Sequence, residues 1–97
     1  MSKISIQQVF SETKNHSVPL NIGNVNNCDI NLIKVQGNYP WHSHEDRDKM
    51  IFVMKGNFKI CLEDREINLS EGESLIIPRR VMHSAVAEPE AWIMLIE

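Results

Sequence analysis

The chain has 97 residues, of which 42% are hydrophobic and 24% charged, and its formal net charge is −3 at pH 7. This length fits one domain, and the mixed composition excludes a disordered chain. No run of Lys or Arg would neutralise a series of phosphates, and no stretch of about 18 apolar residues occurs, so we expect binding to neither nucleic acid nor membrane.

The first residues and the cysteines indicate the cellular compartment of the protein. The chain begins MSKISIQQVF, which is too short and too polar for the apolar core of a signal peptide. Cys28 and Cys61 lack the C-x-x-C spacing of zinc and redox sites. We therefore expect a cytoplasmic protein with two reduced thiols in its core.

The N-terminal part predicts little regular structure. Only Gln7–Lys14 has a pattern that predicts a helical turn, and Ser17–Asn27, with Pro19 and several Asn, predicts an irregular segment. We expect residues 1–28 to form a lead-in that packs on a barrel built from residues 29–97.

Short apolar runs separated by turn residues dominate the remainder of the chain. The predicted strands are Asp29–Gln36, Met50–Lys55, Phe58–Leu62, Ile67–Leu69, Leu75–Pro78, His83–Ala87 and Ala91–Glu97. Glu88-Pro89-Glu90 predicts a turn between the last two. Turns at this spacing are typical of a β-sandwich or barrel and not of βαβ units.

The strand that begins at Met50 is apolar on both faces. We expect Met50, Phe52 and Met54 in the interior. A strand with two apolar faces is central in a sandwich or covered by another subunit, so we also expect a homodimer.

His42-Ser43-His44 is the most informative pattern in the sequence. Residues two apart on a strand point the same way, so both imidazoles are placed to bind one ion. His83 joins them if its strand lies beside that of His42. The alternative is a set of surface histidines, or histidines bonded to carboxylates.

Two segments around these histidines resemble the two motifs of the cupin superfamily. They read GNYPWHSHEDRDKMIFVMKG, starting at Gly37, and GESLIIPRRVMHSAVA, starting at Gly72. The matching positions are Gly37, His42, His44 and Gly56 in the first motif and Gly72, Pro78 and His83 in the second. The resemblance to small single-domain cupins covers about residues 29–97.

This resemblance implies an all-β fold, the double-stranded β-helix or jelly-roll barrel. In that family three His and one Glu face into the barrel and bind iron, manganese, nickel, zinc or copper. Members of the family include dioxygenases, isomerases, epimerases, seed storage proteins and sugar-sensing domains, so the fold alone does not determine the function.

The sequence departs from the family pattern at the glutamate. Counting back from Gly56, that position falls on Lys49. Two unit charges about 4 Å apart interact by about 4 kcal/mol at an effective dielectric near 20, and a divalent ion would face roughly twice that repulsion from an ammonium. Three arrangements stay open: Lys49 turns away from a three-histidine metal site, Lys49 is deprotonated, or no metal binds and the ammonium donates hydrogen bonds to the imidazoles. The simplest interpretation is a Lys49 that reaches solvent and pairs with a nearby acidic side chain.

Other residues near the motifs offer alternatives. A shift of register by one residue makes Asp48 the replacement ligand, whereas Glu45 and Asp46 belong to a turn. Arg80 takes the place of the family's turn glycine. A residue other than glycine is tolerated at this position if its φ stays negative. We expect the side chains of Arg79 and Arg80 to face solvent.

Two functions follow as hypotheses. The first is a cupin that binds a divalent metal ion (iron, manganese, nickel or zinc) through His42, His44 and His83, with a small-molecule ligand and oxidoreductase or isomerase chemistry. The alternative is a non-catalytic, metal-free binding module for a small anionic or sugar-like ligand, with Lys49 as its cation. A family member without any ligand is a third, weaker hypothesis.

Overall fold

A computed structural model describes residues 1–97 and shows one short helix followed by seven strands. The elements are α1 (Ile6–Glu12), β1 (Leu20–Val25), β2 (Cys28–His42), β3 (Lys49–Gly56), β4 (Phe58–Cys61), β5 (Glu66–Leu69), β6 (Ser74–Ile77) and β7 (His83–Ile96). No helix here has the length and apolar character needed to cross a membrane.

The strands form one antiparallel ladder that folds around a core. Its order is β1-β2-β7-β3-β6, and β4 joins β5 to β7. Strand β7 pairs with β2 along its length, while its other edge pairs first with β4 and then with β3. This arrangement is the double-stranded β-helix, or jelly-roll barrel, that the sequence predicted.

The core follows the alternation of strand side chains. Ile51 and Val53 on β3 are 2% and 0% exposed, and they pack with Ile93 of β7 inside the barrel. The predicted interior position of Met50, Phe52 and Met54 is wrong: these even-numbered residues lie half-buried on the outer face. Neighbouring residues of a strand point to opposite faces, so an interior Ile51 puts its even-numbered neighbours outside.

Two local predictions are also wrong. The segment expected to be irregular contains β1, which pairs with β2 through a tight turn at Asn26 and Asn27, whose φ angles are 50° and 67°. Asparagine tolerates this left-handed conformation, which the turn of a hairpin requires. The predicted turn at Glu88–Glu90 lies within the continuous strand β7, and the Glu88–Pro89 peptide bond is cis.

The helix expected near residues 7–14 is present as α1. Ser5 caps it by accepting a hydrogen bond from the backbone N–H of Gln8. Phe10 is 2% exposed and stacks on Trp92 with 5.1 Å between ring centroids. The helix therefore packs on the outer face of the barrel. Cys28 and Cys61 are free and half-buried.

Candidate functional site

Strands β2 and β7 bring His42 and His83 side by side. The two residues are direct partners in the ladder, and their ring centroids are 4.3 Å apart. The His44 ring lies 5.3 Å from that of His42 and 6.3 Å from that of His83. The expectation that the His83 strand runs beside the His42 strand is therefore confirmed.

Backbone carbonyls fix the orientation of two of these rings. His42 Nδ1 lies 2.8 Å from the Pro40 oxygen, and His83 Nδ1 lies 2.9 Å from the Val81 oxygen. A carbonyl only accepts, so each Nδ1 carries the proton and each Nε2 keeps its lone pair. His83 Nε2 is buried without a hydrogen-bond partner. That nitrogen is an unused acceptor, or metal ligand, inside the barrel.

The surroundings favour the neutral form of two of the imidazoles. Burial lowers the pKa of His83, and the charges of Lys49 and the two other histidines lower it further. The hydrogen bond to the Val81 backbone acts in the opposite direction and raises this pKa. The pKa of His44 is lowered first by burial and then by the Lys49 charge. Neutral imidazole is the form that binds a metal.

Lys49 points into the barrel, so the prediction that it reaches solvent and pairs with an acidic neighbour is wrong. Its side chain is 9% exposed and lines the same cavity as His42 and His83. Lys49 belongs to none of the chain's ion pairs. Burial lowers its pKa, and the charge of Glu97 acts in the opposite direction. The cation thus lies inside the site, with no salt-bridge partner.

Glu97 is a site residue that the sequence reasoning missed. The Met50–Ile96 pairing of β3 with β7 places Glu97 opposite Lys49, and hydrogen bonds with the Asp29 backbone hold Glu97 in register. Its Oε2 is buried without a partner, and its charge acts on both Lys49 and His44. Glu97 has the same strand parity as Leu95, which lines the cavity, but the sequence does not show which parity of this strand faces inward.

The Asp48 side chain lies outside the histidine site. One of its carboxylate oxygens accepts hydrogen bonds from Arg79, at 2.9 Å from the backbone nitrogen and 3.3 Å from Nε. These bonds lower the pKa of the exposed Asp48 carboxyl. The structure therefore does not bring Asp48 to the histidines, and Glu45 lies 3.9 Å from Arg80 in an exposed pair.

The turn at Arg80 differs from the prediction. Its φ is +69°, so the condition of a negative φ for a non-glycine residue is not met, and the side chain is exposed as expected. The Arg80 backbone N–H donates to the His44 carbonyl oxygen at 2.7 Å. This bond connects the turn before β7 to the second histidine.

A small apolar cavity lies below the histidines. Its volume is about 130 Å³, and nine of its twelve lining residues are hydrophobic, among them Ile51, Phe58 and Ile93. The polar lining residues are His42, His83 and Lys49, which gather at one end. Such a cavity has room for a molecule of about five to eight non-hydrogen atoms.

The three histidine rings lie close together, but their present orientations do not form a metal-ligand set. No group of three or more His, Cys, Asp or Glu is arranged here to hold an ion. Metal–nitrogen bonds of about 2.0–2.1 Å place the centroids of neighbouring histidine ligands roughly 4.5–5.5 Å apart. The His42–His44 separation of 5.3 Å lies within this range, whereas the separations of 4.3 Å and 6.3 Å to His83 lie outside it.

Comparison with known proteins gives a consistent result. The family model of the cupin domain matches residues 31–95. The uncharacterized protein YdbB of Bacillus subtilis is 32% identical over 85 residues, which cover 86% of this chain and 75% of that protein.

Solved structures agree over nearly the whole chain. A cupin-2 domain protein from Shewanella frigidimarina has a TM-score of 0.94 and 37% identity, covering 97% of this chain and 92% of that one. Protein NMB1881 from Neisseria meningitidis has a TM-score of 0.88 and 29% identity, covering 99% of this chain and 98% of that one. This chain belongs to the cupin domain family.

Proposed function

We propose that this cupin binds one divalent metal ion through His42, His44 and His83, at the opening of a pocket that admits a small organic molecule. Iron, manganese, nickel and zinc are the candidate metals, and neutral imidazoles suit iron, nickel and zinc better than manganese. The observation that carries the proposal is the buried, unpartnered Nε2 of His83, whose Nδ1 is fixed by a backbone carbonyl. Ligating histidines are commonly oriented in this way.

The fold is compatible with such an ion. The structure of FeII HppE in complex with substrate has a TM-score of 0.73 and covers 87% of this chain and 55% of that one, at 15% identity, a likeness of fold alone. A bound metal would supply Lewis-acid or dioxygen chemistry, which is the basis of oxidoreductase and isomerase activities. The residues of this chain would hold and orient the substrate in the apolar cavity.

Lys49 sets the condition for metal binding. An ammonium in the position of the family's glutamate repels a divalent ion, so the side chain must move or lose its proton when the ion enters. Lys49 has no salt bridge to break, and Glu97 lies on the same inner face to receive it. The site is therefore expected to bind metal more weakly than one with a glutamate ligand.

A metal-free binding module for a small anionic or sugar-like ligand is the second candidate. It is favoured by the inward orientation of Lys49, a buried ammonium that lies beside neutral imidazoles and has no ion-pair partner. An anionic group would supply the missing counter-charge. In this case His42 and His83 would accept or donate hydrogen bonds and would not ligate.

Metal content measured by elemental mass spectrometry on the untagged protein separates the two candidates. The first predicts about one metal ion per chain, lost in His42→Ala and His83→Ala and kept in the control His16→Ala, whose histidine pairs with Glu90 outside the barrel. Lys49→Glu should raise the affinity by at least tenfold. A wild-type protein without metal after reconstitution with iron, manganese, nickel and zinc would refute the first candidate and leave the second.

A further inference from the structure

Lys49 is the lysine of this chain whose amino group lies inside the apolar cavity. Its side chain is 9% exposed and lines that cavity, and it belongs to no ion pair. The other lysines differ in both respects. Lys34 donates to a backbone carbonyl and Lys59 pairs with a glutamate, while the remaining three are exposed.

The walls of the cavity favour an uncharged nitrogen at Lys49. Nine of the twelve lining residues are hydrophobic, and none of the twelve is acidic. A buried ammonium without an anionic partner is unfavourable, so these surroundings raise the fraction of Lys49 that is present as the neutral amine. A neutral lysine amine in a desolvated pocket is a nucleophile that attacks carbonyl compounds.

We propose that Lys49 forms an imine with short-chain aliphatic aldehydes that enter the apolar cavity. The amine nitrogen attacks the carbonyl carbon, and the addition gives a carbinolamine. The hydroxyl group of this carbinolamine leaves as water, which contains the aldehyde oxygen and both hydrogens of the amine, and a C=N bond remains. The reaction needs no oxidant, reductant or metal ion.

Two properties of the cavity stabilise the imine. An uncharged C=N nitrogen removes the need for a buried counter-charge. The alkyl chain of the aldehyde lies among apolar side chains such as Ile51, Phe58 and Ile93, and burial of each methylene group raises the equilibrium constant about fourfold. The cavity volume of about 130 Å³ admits a chain of the length of butanal.

Reductive trapping of the imine tests the proposal. The untagged protein is incubated at pH 7 in EDTA with low concentrations of ethanal, propanal or butanal and with sodium cyanoborohydride, which reduces an imine to a stable secondary amine. Peptide mass spectrometry then gives the alkylation rate of each lysine. We expect Lys49 to react with butanal at least tenfold faster than the exposed Lys14 and Lys55. A lysine that was only buried would react more slowly than these two.

The length of the aldehyde separates reaction in the cavity from general reactivity. The rate at Lys49, divided by the rate at Lys14 in the same sample, should rise about fourfold for each added methylene group from ethanal to butanal. The ratio of Lys55 to Lys14 should stay constant, because both residues are exposed.

A variant with a smaller cavity provides a second readout. Ala85 lines the cavity, so Ala85→Leu should lower the butanal rate at Lys49 at least fivefold and leave Lys14 unchanged. The control Val86→Leu adds bulk to the next residue of β7, which points to the opposite face of the strand, and should react like the wild type.

The outcomes distinguish this inference from the proposed metal site, with which it shares only the pocket. A Lys49 rate at or below that of the exposed lysines, or a rate ratio that does not rise with chain length, would overturn the imine site. If Ala85→Leu does not fold, the wild-type series decides alone. Metal content is measured on separate protein without EDTA or aldehyde, so neither result depends on the other.

Discussion

The His42 and His83 rings lie 4.3 Å apart between centroids as direct partners across β2 and β7, and each Nδ1 donates to a backbone carbonyl two residues earlier in the chain. This shared geometry fixes both rings in the same tautomer. The polar end of the cavity therefore presents lone pairs, beside one buried ammonium.

The metal-free protein should lose stability as the pH falls through about 6.5. The pKa values of His83 and His44 are lowered in the folded state relative to 6.5, so the unfolded chain binds more protons in this range and acid favours unfolding. This stability is fully present above pH 6.5. Urea unfolding in EDTA between pH 5 and 8 measures the effect. His83→Asn should reduce the slope, and an unchanged slope would show that His83 does not contribute.

Lys49→Met should raise the free energy of unfolding at pH 7 by about 1–3 kcal/mol, because the substitution removes a buried charge that has no salt-bridge partner. The pKa of Lys49 in the folded protein is lowered from 10.5, so the unfolded chain binds the Lys49 proton more tightly than the folded one. The stability of the wild type should therefore rise relative to that of Lys49→Met as the pH approaches 10.5. Chemical denaturation gives both values. Lys14→Met, at an exposed position, is the control, and a destabilised Lys49→Met would mean that the ammonium has a stabilising partner.

Arg80→Gly should be more stable than Arg80→Ala by about 1 kcal/mol. The φ of +69° strains any residue with a Cβ, and only glycine removes this strain. Both variants lose the same exposed side chain, so their difference isolates the backbone effect. Thermal unfolding of the two proteins measures it. Equal stabilities would indicate that the turn relaxes to a negative φ, which would also disturb the hydrogen bond to His44.

We expect a homodimer formed through the outer face of the sheet. Ile30, Ile96, Met50 and Ile76 follow one another across four paired strands, and Ile76 is 62% exposed. A contiguous apolar row of this kind is typical of an interface between subunits.

Sedimentation equilibrium measures the oligomeric state. Ile76→Glu should give a monomer, since a charge would be buried in the interface, and Val25→Glu on the edge strand β1 should not change the mass. A monomeric wild type at high micromolar concentration would contradict the expectation.

The sequence by itself predicted the barrel, most of its strands and the three histidines, and it missed β1 and the continuity of β7. Apolar runs at regular spacing favour a β-sandwich or barrel, and the H-x-H pattern places two rings on one face of an extended segment. The cupin motifs then identified the strand that carries His83. These features depend on the alternation of apolar and polar residues and on the spacing of turns and motifs, and both can be read directly from the sequence.

Only the tertiary structure decided which face of β3 is interior and which charges enter the site. A strand that is apolar on both faces has no parity signal, so Met50 and Phe52 were placed inside and Lys49 outside, the reverse of what the fold shows. Glu97 lies opposite Lys49 because β3 pairs with β7 in one register. Register is set by long-range packing of the barrel, and for that reason the placement of Glu97 opposite Lys49 became visible only in three dimensions.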